Sequence, residues 1–292
     1  MIRAAALGPM VAADSSSAPG PAPGLGQSPP VSTRDFVRIS HAETSHESTQ
    51  VAEEVPVAFV YSGRPHVVMM CTPADLEDLA IGFSLTEEIV GATKDIGTIN
   101  VTRHSRGIEL TIEIPPTAAA KLATRARALS GRTGCGLCGV EAIDDAVRTP
   151  HIVRSELVVT AGALWRAGTA LAALQHYNNE THSVHAAAWA TPDGELRVVR
   201  EDVGRHNALD KVLGALARSG TDARDGFIVI TSRASFELVQ KVAIAGIPLL
   251  AAVSRPTGLA IRLAEDAGIT LVGLLRGESA NAYTHANRIS LT

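Results

Sequence analysis

Two of the three cysteines in this 292-residue chain stand two residues apart, in Gly-Arg-Thr-Gly-Cys-Gly-Leu-Cys-Gly-Val over residues 131–140. Sulfur does its chemistry as thiolate, and a C-x-x-C pairing or a nearby positive charge such as Arg132 lowers a thiol's pKa. Gly134, Gly136 and Gly139 remove side-chain bulk around Cys135 and Cys138, and glycine admits backbone angles closed to other residues. The spacing therefore suits a loop that presents a reactive thiol at close range. Other uses of the pair find less support. A closed structural zinc site needs two further ligands, and Cys71, the third cysteine, lies in the apolar run 66–71 and reads as core. An odd cysteine count without an export signal argues against a structural disulfide. A thioredoxin-like pair opens a helix directly after a strand, whereas this one follows a helical stretch and a glycine-rich turn.

Two other segments are dense in groups that handle anions. Arg-Glu-Asp-Val-Gly-Arg-His-Asn-Ala-Leu-Asp-Lys (200–211) places Arg205, His206 and Asn207 at the start of a predicted helix. A helix N-terminus attracts negative charge, and arginine offers phosphate a bidentate partner. The alternative is an exposed capping segment with ion pairs. Thr-Ser-Arg-Ala-Ser (231–235) joins a predicted buried strand to a helix, so Ser232, Arg233 and Ser235 occupy the end of the strand where open α/β sheets bind ligands. Capping serves equally well as an explanation of those hydroxyls. Neither G-x-x-x-x-G-K-[ST] nor G-x-G-x-x-G occurs, which removes ordinary nucleotide triphosphatase and dinucleotide oxidoreductase readings. His185, on the apolar strand 184–190, reads as a core histidine.

The elements that must position these groups fall into two patterns. Residues 55–61 and 66–71 flank Ser62–Pro65 as a hairpin, and Thr72-Pro73 opens a helix that buries Leu76, Leu79, Ala80 and Phe83 and runs to about Gly91. Residues 107–114 alternate as a half-buried strand, and 117–130 form an Ala-rich helix ahead of the cysteines. Residues 162–177 form a helix, and 184–190 with 195–199 form two strands. From 227 onward, apolar runs at 227–230, 248–253 and 269–273 alternate with helices at 235–245 and 257–267. That rhythm predicts parallel βαβ units covered on both faces. The fold class is α/β: a three-layer α/β domain over 141–292, a smaller α+β unit over 36–130, and the cysteine loop between them. Residues 1–35, rich in proline, alanine and serine, are expected to be disordered. A net charge of −4 argues against a general nucleic-acid binder. No apolar run approaches the roughly 18 residues that span a bilayer. Gly8-Pro9 interrupts the only leader-like stretch, so cytoplasmic residence is expected.

Taken together the motifs resemble the FdhD/NarQ family of formate dehydrogenase accessory sulfurtransferases. The matching stretches are 53–57 (EEVPV), 67–80 (VVMMCTPADLEDLA), 131–139, 185–188 (HAAA), 201–211, 232–235 and 253–257 (VSRPT), in order from about residue 50 to the C-terminus. The resemblance implies a sulfur carrier that takes persulfide sulfur from a cysteine desulfurase. It implies delivery to the molybdenum cofactor, bis(molybdopterin guanine dinucleotide), of formate dehydrogenase. The carrier role falls on Cys135, with Cys138 assisting exchange. The family's cofactor-binding stretch matches Leu274, Leu275, Arg276, Gly277, Glu278 and Ser279, and Ser232, Arg233, Ser235 and Arg205 are placed to add donors. The resemblance further implies a cytidine-deaminase-like α/β fold and a homodimer, with no permanent metal. Two departures stand out: Ser279 replaces a residue that is often basic, and Thr181-His-Ser-Val-His185 lacks a glycine often found after its threonine. Deaminase chemistry itself is not implied, because H-x-E followed by P-C-x-x-C is absent.

Overall fold

The computed structural model describes residues 24–41, 43–128 and 150–292. Cys135 and Cys138 lie outside the described residues. A 3-10 turn at Leu25–Gln27 leads into a two-stranded antiparallel ribbon, β1 (Val31–Ile39) and β2 (Thr44–Ala52), whose register runs unbroken from Val31↔Ala52 to Ile39↔Thr44. The expectation of disorder over 1–35 is thus corrected for residues 25–27 and 31–35. The proline-rich composition hides a strand carried by Val31, Thr33, Phe36, Val37 and Ile39, β-branched and aromatic residues that favour extended backbone. Gly26 is pressed under the carbonyl groups of His104 and Gly107, where a β-carbon would come within 2.2 Å of each.

A four-stranded sheet follows, ordered β4-β3-β6-β5, from β3 (Val55–Tyr61), β4 (Arg64–Cys71), β5 (Ile99–His104) and β6 (Gly107–Ile112). β3 buries every second residue, Val55, Val57, Phe59 and Tyr61. Its turn to β4 is only Ser62-Gly63, both at positive φ (45° and 77°), the backbone a two-residue hairpin demands. Arg64 and Pro65, expected in the turn, belong to β4. Helix α1 (Leu76–Thr86) packs Leu76, Leu79, Ala80 and Phe83 on this sheet, and α2 (Pro116–Ala128) adds Leu122. The predicted cap at Thr72 is corrected: α1 starts at Leu76 behind Asp75 in a left-handed conformation, and it ends at Thr86, short of Gly91.

The larger sheet is ordered β13-β12-β11-β10-β8-β9. After β7 (Val159–Thr160) come α3 (Ala161–Ala173), α4 (His176–Thr181), β8 (His185–Ala190), β9 (Leu196–Asp202) and α5 (Arg205–Ser219). Then follow β10 (Phe227–Ile230), α6 (Phe236–Ile244), β11 (Leu249–Ala252), α7 (Gly258–Ala267), β12 (Thr270–Arg276), β13 (Ser279–Ala282) and β14 (Ile289–Ser290), which pairs with β7. Only β10, β11 and β12 are mutually parallel; β8, β9 and β13 run against their neighbours. The parallel prediction holds for three strands of six. Helix α3 covers one face through Leu164, Ala167 and Leu171, and α5, α6 and α7 cover the other through Leu209, Val212, Leu238 and Leu263. This is the expected three-layer arrangement. The predicted helix 162–177 breaks at Leu174–Gln175, where the Glu201 carboxylate accepts from the Tyr177 and Asn178 N–H groups, each at 2.9 Å. Among the described residues no helix is long and apolar enough to cross a membrane.

Candidate functional site

Strand direction gathers the anion-handling loops on one edge. β10, β11 and β12 point their carboxyl ends there, and β8, being antiparallel to β10, starts there with His185. β9 ends there at Asp202, opposite His185. Helices α5, α6 and α7 therefore all begin on this edge, and their free N–H groups face it. From the start of α5 to the end of β12 the edge spans four interstrand steps, about 19 Å. Arg205, Arg233, Arg255 and Arg276 stand along it, the last three exposed.

The caps of the helices differ in a telling way. Thr257 caps α7 by accepting from Ala260 N–H at 3.3 Å. Ser235 holds the same position on α6 but makes no such bond; its buried hydroxyl serves the Glu237 carboxylate instead. Nε of Arg205, in the first turn of α5, is buried and unpartnered. Buried polar groups without partners cost free energy, so Arg205 Nε at the start of α5 is a donor open to an acceptor from outside. His206 Nε2 lies 3.4 Å from Glu237 Oε2 and bridges the two helix starts. A hydrogen bond with His206, and after it one with Ser235, hold the Glu237 carboxyl down to about 2 against the opposing effect of its partial burial. His185 is half-buried on the edge rather than in the core as expected. Desolvation, followed by the charges of Arg205 and His206, lowers its pKa.

The 201–211 segment turns out to serve two purposes. Arg205 and His206 face the edge, while Asp202, Asn207 and Lys211 point inward. Lys211 Nζ sits 2.6 Å from Asp202 Oδ2, with both side chains fully buried. The same ammonium donates to the Thr72 and Glu201 carbonyl groups at 3.1 and 3.3 Å. Thr72 N–H donates to Asp202 at 3.0 Å, and Thr72 Oγ1 accepts from Val203 N–H at 3.1 Å. Asn207 Nδ2 reaches the Met70 carbonyl at 3.0 Å and Cys71 Sγ at 3.4 Å. Neither reading of the sequence, capping segment or anion site, foresaw this buried tie to the β4–α1 junction. Cys71 is fully buried, and desolvation raises its thiol pKa well above the ordinary value. It is an inert core cysteine, as its apolar surroundings implied.

The stretch 274–279 closes the far end of the edge. A bulge between Gly273 and Arg276 interrupts the β12–β13 ladder, and Leu274 adopts a left-handed φ of 54°, unusual for a residue with a β-carbon. Leu274 N–H donates to the Ser254 carbonyl at 3.1 Å, and Arg276 Nε donates to the Val253 carbonyl at 3.2 Å. The bulge thus folds Arg276 back over the end of β11. Gly273 has no room for a side chain, since a β-carbon would lie 2.7 Å from Pro256 Cδ. Leu275 is buried in the core beneath α3, so only its backbone can face a ligand, whereas Arg276, Gly277, Glu278 and Ser279 are exposed. Ser232 is buried and donates to the Arg233 carbonyl at 3.1 Å. The sequence-derived residues Arg205, Ser232, Arg233, Ser235 and Leu274–Ser279 therefore share one edge. His206 and Glu237 were not identified together, because nothing in their spacing of 31 positions couples them.

Comparison with known proteins bears on the family of the chain. The sequence model of the FdhD/NarQ family matches residues 52–290. "Sulfur carrier protein FdhD" of Xanthomonas axonopodis pv. citri (strain 306) is 54% identical over 241 residues, 82% of this chain and 86% of that protein. The protein of the same name from Bordetella petrii is 49% identical over 245 residues, 84% of this chain and 88% of its own length. The crystal structure of a formate dehydrogenase accessory protein from Desulfotalea psychrophila superimposes with a TM-score of 0.72 at 24% identity, over 90% of this chain and all of that one. That likeness supports the fold.

Proposed function

This chain belongs to the FdhD/NarQ family, and on that footing we propose that it is a sulfur carrier for the maturation of formate dehydrogenase. Cys135 is the acceptor. Its thiolate attacks the outer sulfur of a persulfide on a cysteine desulfurase, the S–S bond breaks, and the desulfurase cysteine leaves as thiolate. The sulfur then sits on Cys135 as a persulfide. Attack by the Cys138 thiolate on Cys135 Sγ expels it as hydrosulfide for the metal of the molybdenum cofactor, leaving a Cys135–Cys138 disulfide that a dithiol reductant reopens. The chain works in this reading as a cytoplasmic sulfurtransferase and homodimer.

The cargo is bis(molybdopterin guanine dinucleotide), bound along the edge formed by Arg205, Ser232, Arg233, Ser235 and Leu274–Ser279. Its diphosphates need cations and N–H or O–H donors. The unpartnered Arg205 Nε fits that need, as do three helix starts. The observation that carries the reading is the glycine-set cysteine pair at 135 and 138 within the residues matched to the family. Incubating the full chain with a desulfurase and cysteine should add about 32 Da, one sulfur atom, to the protein. Cys135→Ala should remove that adduct and abolish formate dehydrogenase maturation. An unmodified wild-type protein, or maturation that survives Cys135→Ala, overturns the assignment.

A further inference from the structure

We propose that the apolar N-terminal segment, residues 2–13, covers the open face of the four-stranded sheet along β3 and β4 of its own chain. One face of that sheet is filled by α1 and α2. On the other, residues paired directly across a ladder share a side. The registers Pro56↔Met70 and Ala58↔Val68 therefore lay out an apolar strip on β3 and β4, which Val60 prolongs. Val68 is 63% exposed and Met70 47%. β4 is also an edge strand, and Pro65–Cys71 holds no Lys, Arg, Asp or Glu. It thus lacks the charges by which sheet edges ordinarily resist association, and an exposed apolar strip marks a place of contact.

Place, reach, composition and size select the occupant. The described chain starts at the foot of the strip. A β-carbon on Gly26 would lie 2.2 Å from the Gly107 carbonyl oxygen, and one on Gly107 would lie 2.5 Å from that of Pro56. Leu25, next to Gly26, is exposed. Residues 14–23, Asp-Ser-Ser-Ser-Ala-Pro-Gly-Pro-Ala-Pro, can span up to about 33 Å, while Pro56 to Val60 covers only about 13 Å. Nine of residues 2–13 are Ala, Ile, Leu, Met or Val, and their one charge is Arg3. Glu109, of opposite charge, stands next to Ala58 on the same face as the strip. Two strands of five residues present a footprint of about 160 Å², far below the roughly 800 Å² per partner of a stable protein–protein interface. A segment tethered in the same chain needs no such area, because it meets the strip at an effective concentration on the order of millimolar.

Photo-crosslinking of the full chain provides the test. With p-benzoylphenylalanine in place of Leu7, irradiation should join position 7 to residues 56–70. Mixing isotope-labelled with unlabelled protein tells, by mass spectrometry, whether both ends of an adduct belong to one copy, as they should. Val68→Glu should lower the yield of that adduct about tenfold, the loss expected when one valine side chain is no longer buried. Val101→Glu, on the opposite edge strand β5, should leave the yield unchanged. Both substitutions stand at exposed positions, so neither empties the core. Adducts joining two copies would make a second chain the cover and overturn the inference. Adducts outside the strip, no adduct at all, or equal losses in Val68→Glu and Val101→Glu overturn it too. Sulfur acceptance at Cys135 is read separately and is indifferent to each of these outcomes.

Discussion

At the scale of single residues, the edge is built by spending a capping hydroxyl on a carboxylate and leaving Arg205 Nε without a partner. Ser235 sits where serine caps a helix yet serves the Glu237 carboxylate instead, while Thr257, its counterpart on α7, caps in the usual way. Glu237 carries a consequence for stability that can be checked without any ligand. Its carboxyl is held near 2, below the ordinary 4.5. A carboxylate depressed in the fold stabilises the protein above the ordinary value, and that contribution disappears as pH falls from 4.5 toward 2. Urea midpoints measured across this interval should fall less steeply for Glu237→Gln than for the wild type. Equal slopes would mean that His206 does not hold the carboxylate. His185 acts in the same sense at higher pH: its lowered pKa favours the neutral form, so stability drops as pH falls through and below the ordinary imidazole range.

At the scale of elements, one crossing governs how the two units meet. Helices α1 and α5 pass so closely at Gly82 and Gly214 that a β-carbon on Gly82 would lie 1.8 Å from the Asp210 carbonyl oxygen, and one on Gly214 would lie 1.8 Å from that of Asp78. Both obstacles are helix backbone, which cannot rotate aside as a side chain could. Gly82→Ala or Gly214→Ala must push the helices apart, separating Lys241 of α6 from its partners Thr86 and Asp210, each now about 3 Å away. Overpacking of this kind costs about 3 kcal/mol or more, so the denaturation midpoint of either variant should drop markedly. A midpoint within error of the wild type would show that the helices slide instead. The sequence carried no sign of this crossing, since glycine inside a helix reads only as a weak spot. Other elements were legible where one face is apolar: β3, β6, β10 to β12 and their helices follow from periodicity alone. β2 and β5 were not, because Thr44–Ala52 and Ile99–His104 are dominated by polar and charged residues and gain their pairing from neighbours rather than from an apolar stripe.

At the scale of the whole molecule, the parts of the candidate site that escaped the sequence are those made by distant partners. The motifs around 67–80 and 201–211 were both visible, but that Thr72 and Asp202 bond across 130 positions is a property of the folded chain. Lys211 is where that dependence concentrates: fully buried, it joins Asp202, the Thr72 carbonyl and the Glu201 carbonyl in one knot. The knot fixes the end of β9 and the first turn of α5, and so the position of Arg205. Arg200 and Arg218 add a second tie by pairing with opposite oxygens of buried Asp78, at 2.7 and 2.8 Å. With packing and charge both crossing the boundary, the units should melt together. Calorimetry of the full chain should give one transition, and Lys211→Met should move all of it downward. Stranding the buried Asp202 charge costs about 3–5 kcal/mol, a shift on the order of 10 °C for a chain of this size. Two transitions in the wild type, or a Lys211→Met protein in which only part of the heat moves, would show that the smaller unit merely leans on the larger. In that event the four-stranded sheet could not be what sets the start of α5, and the position of Arg205 would have to be maintained from within the larger sheet alone.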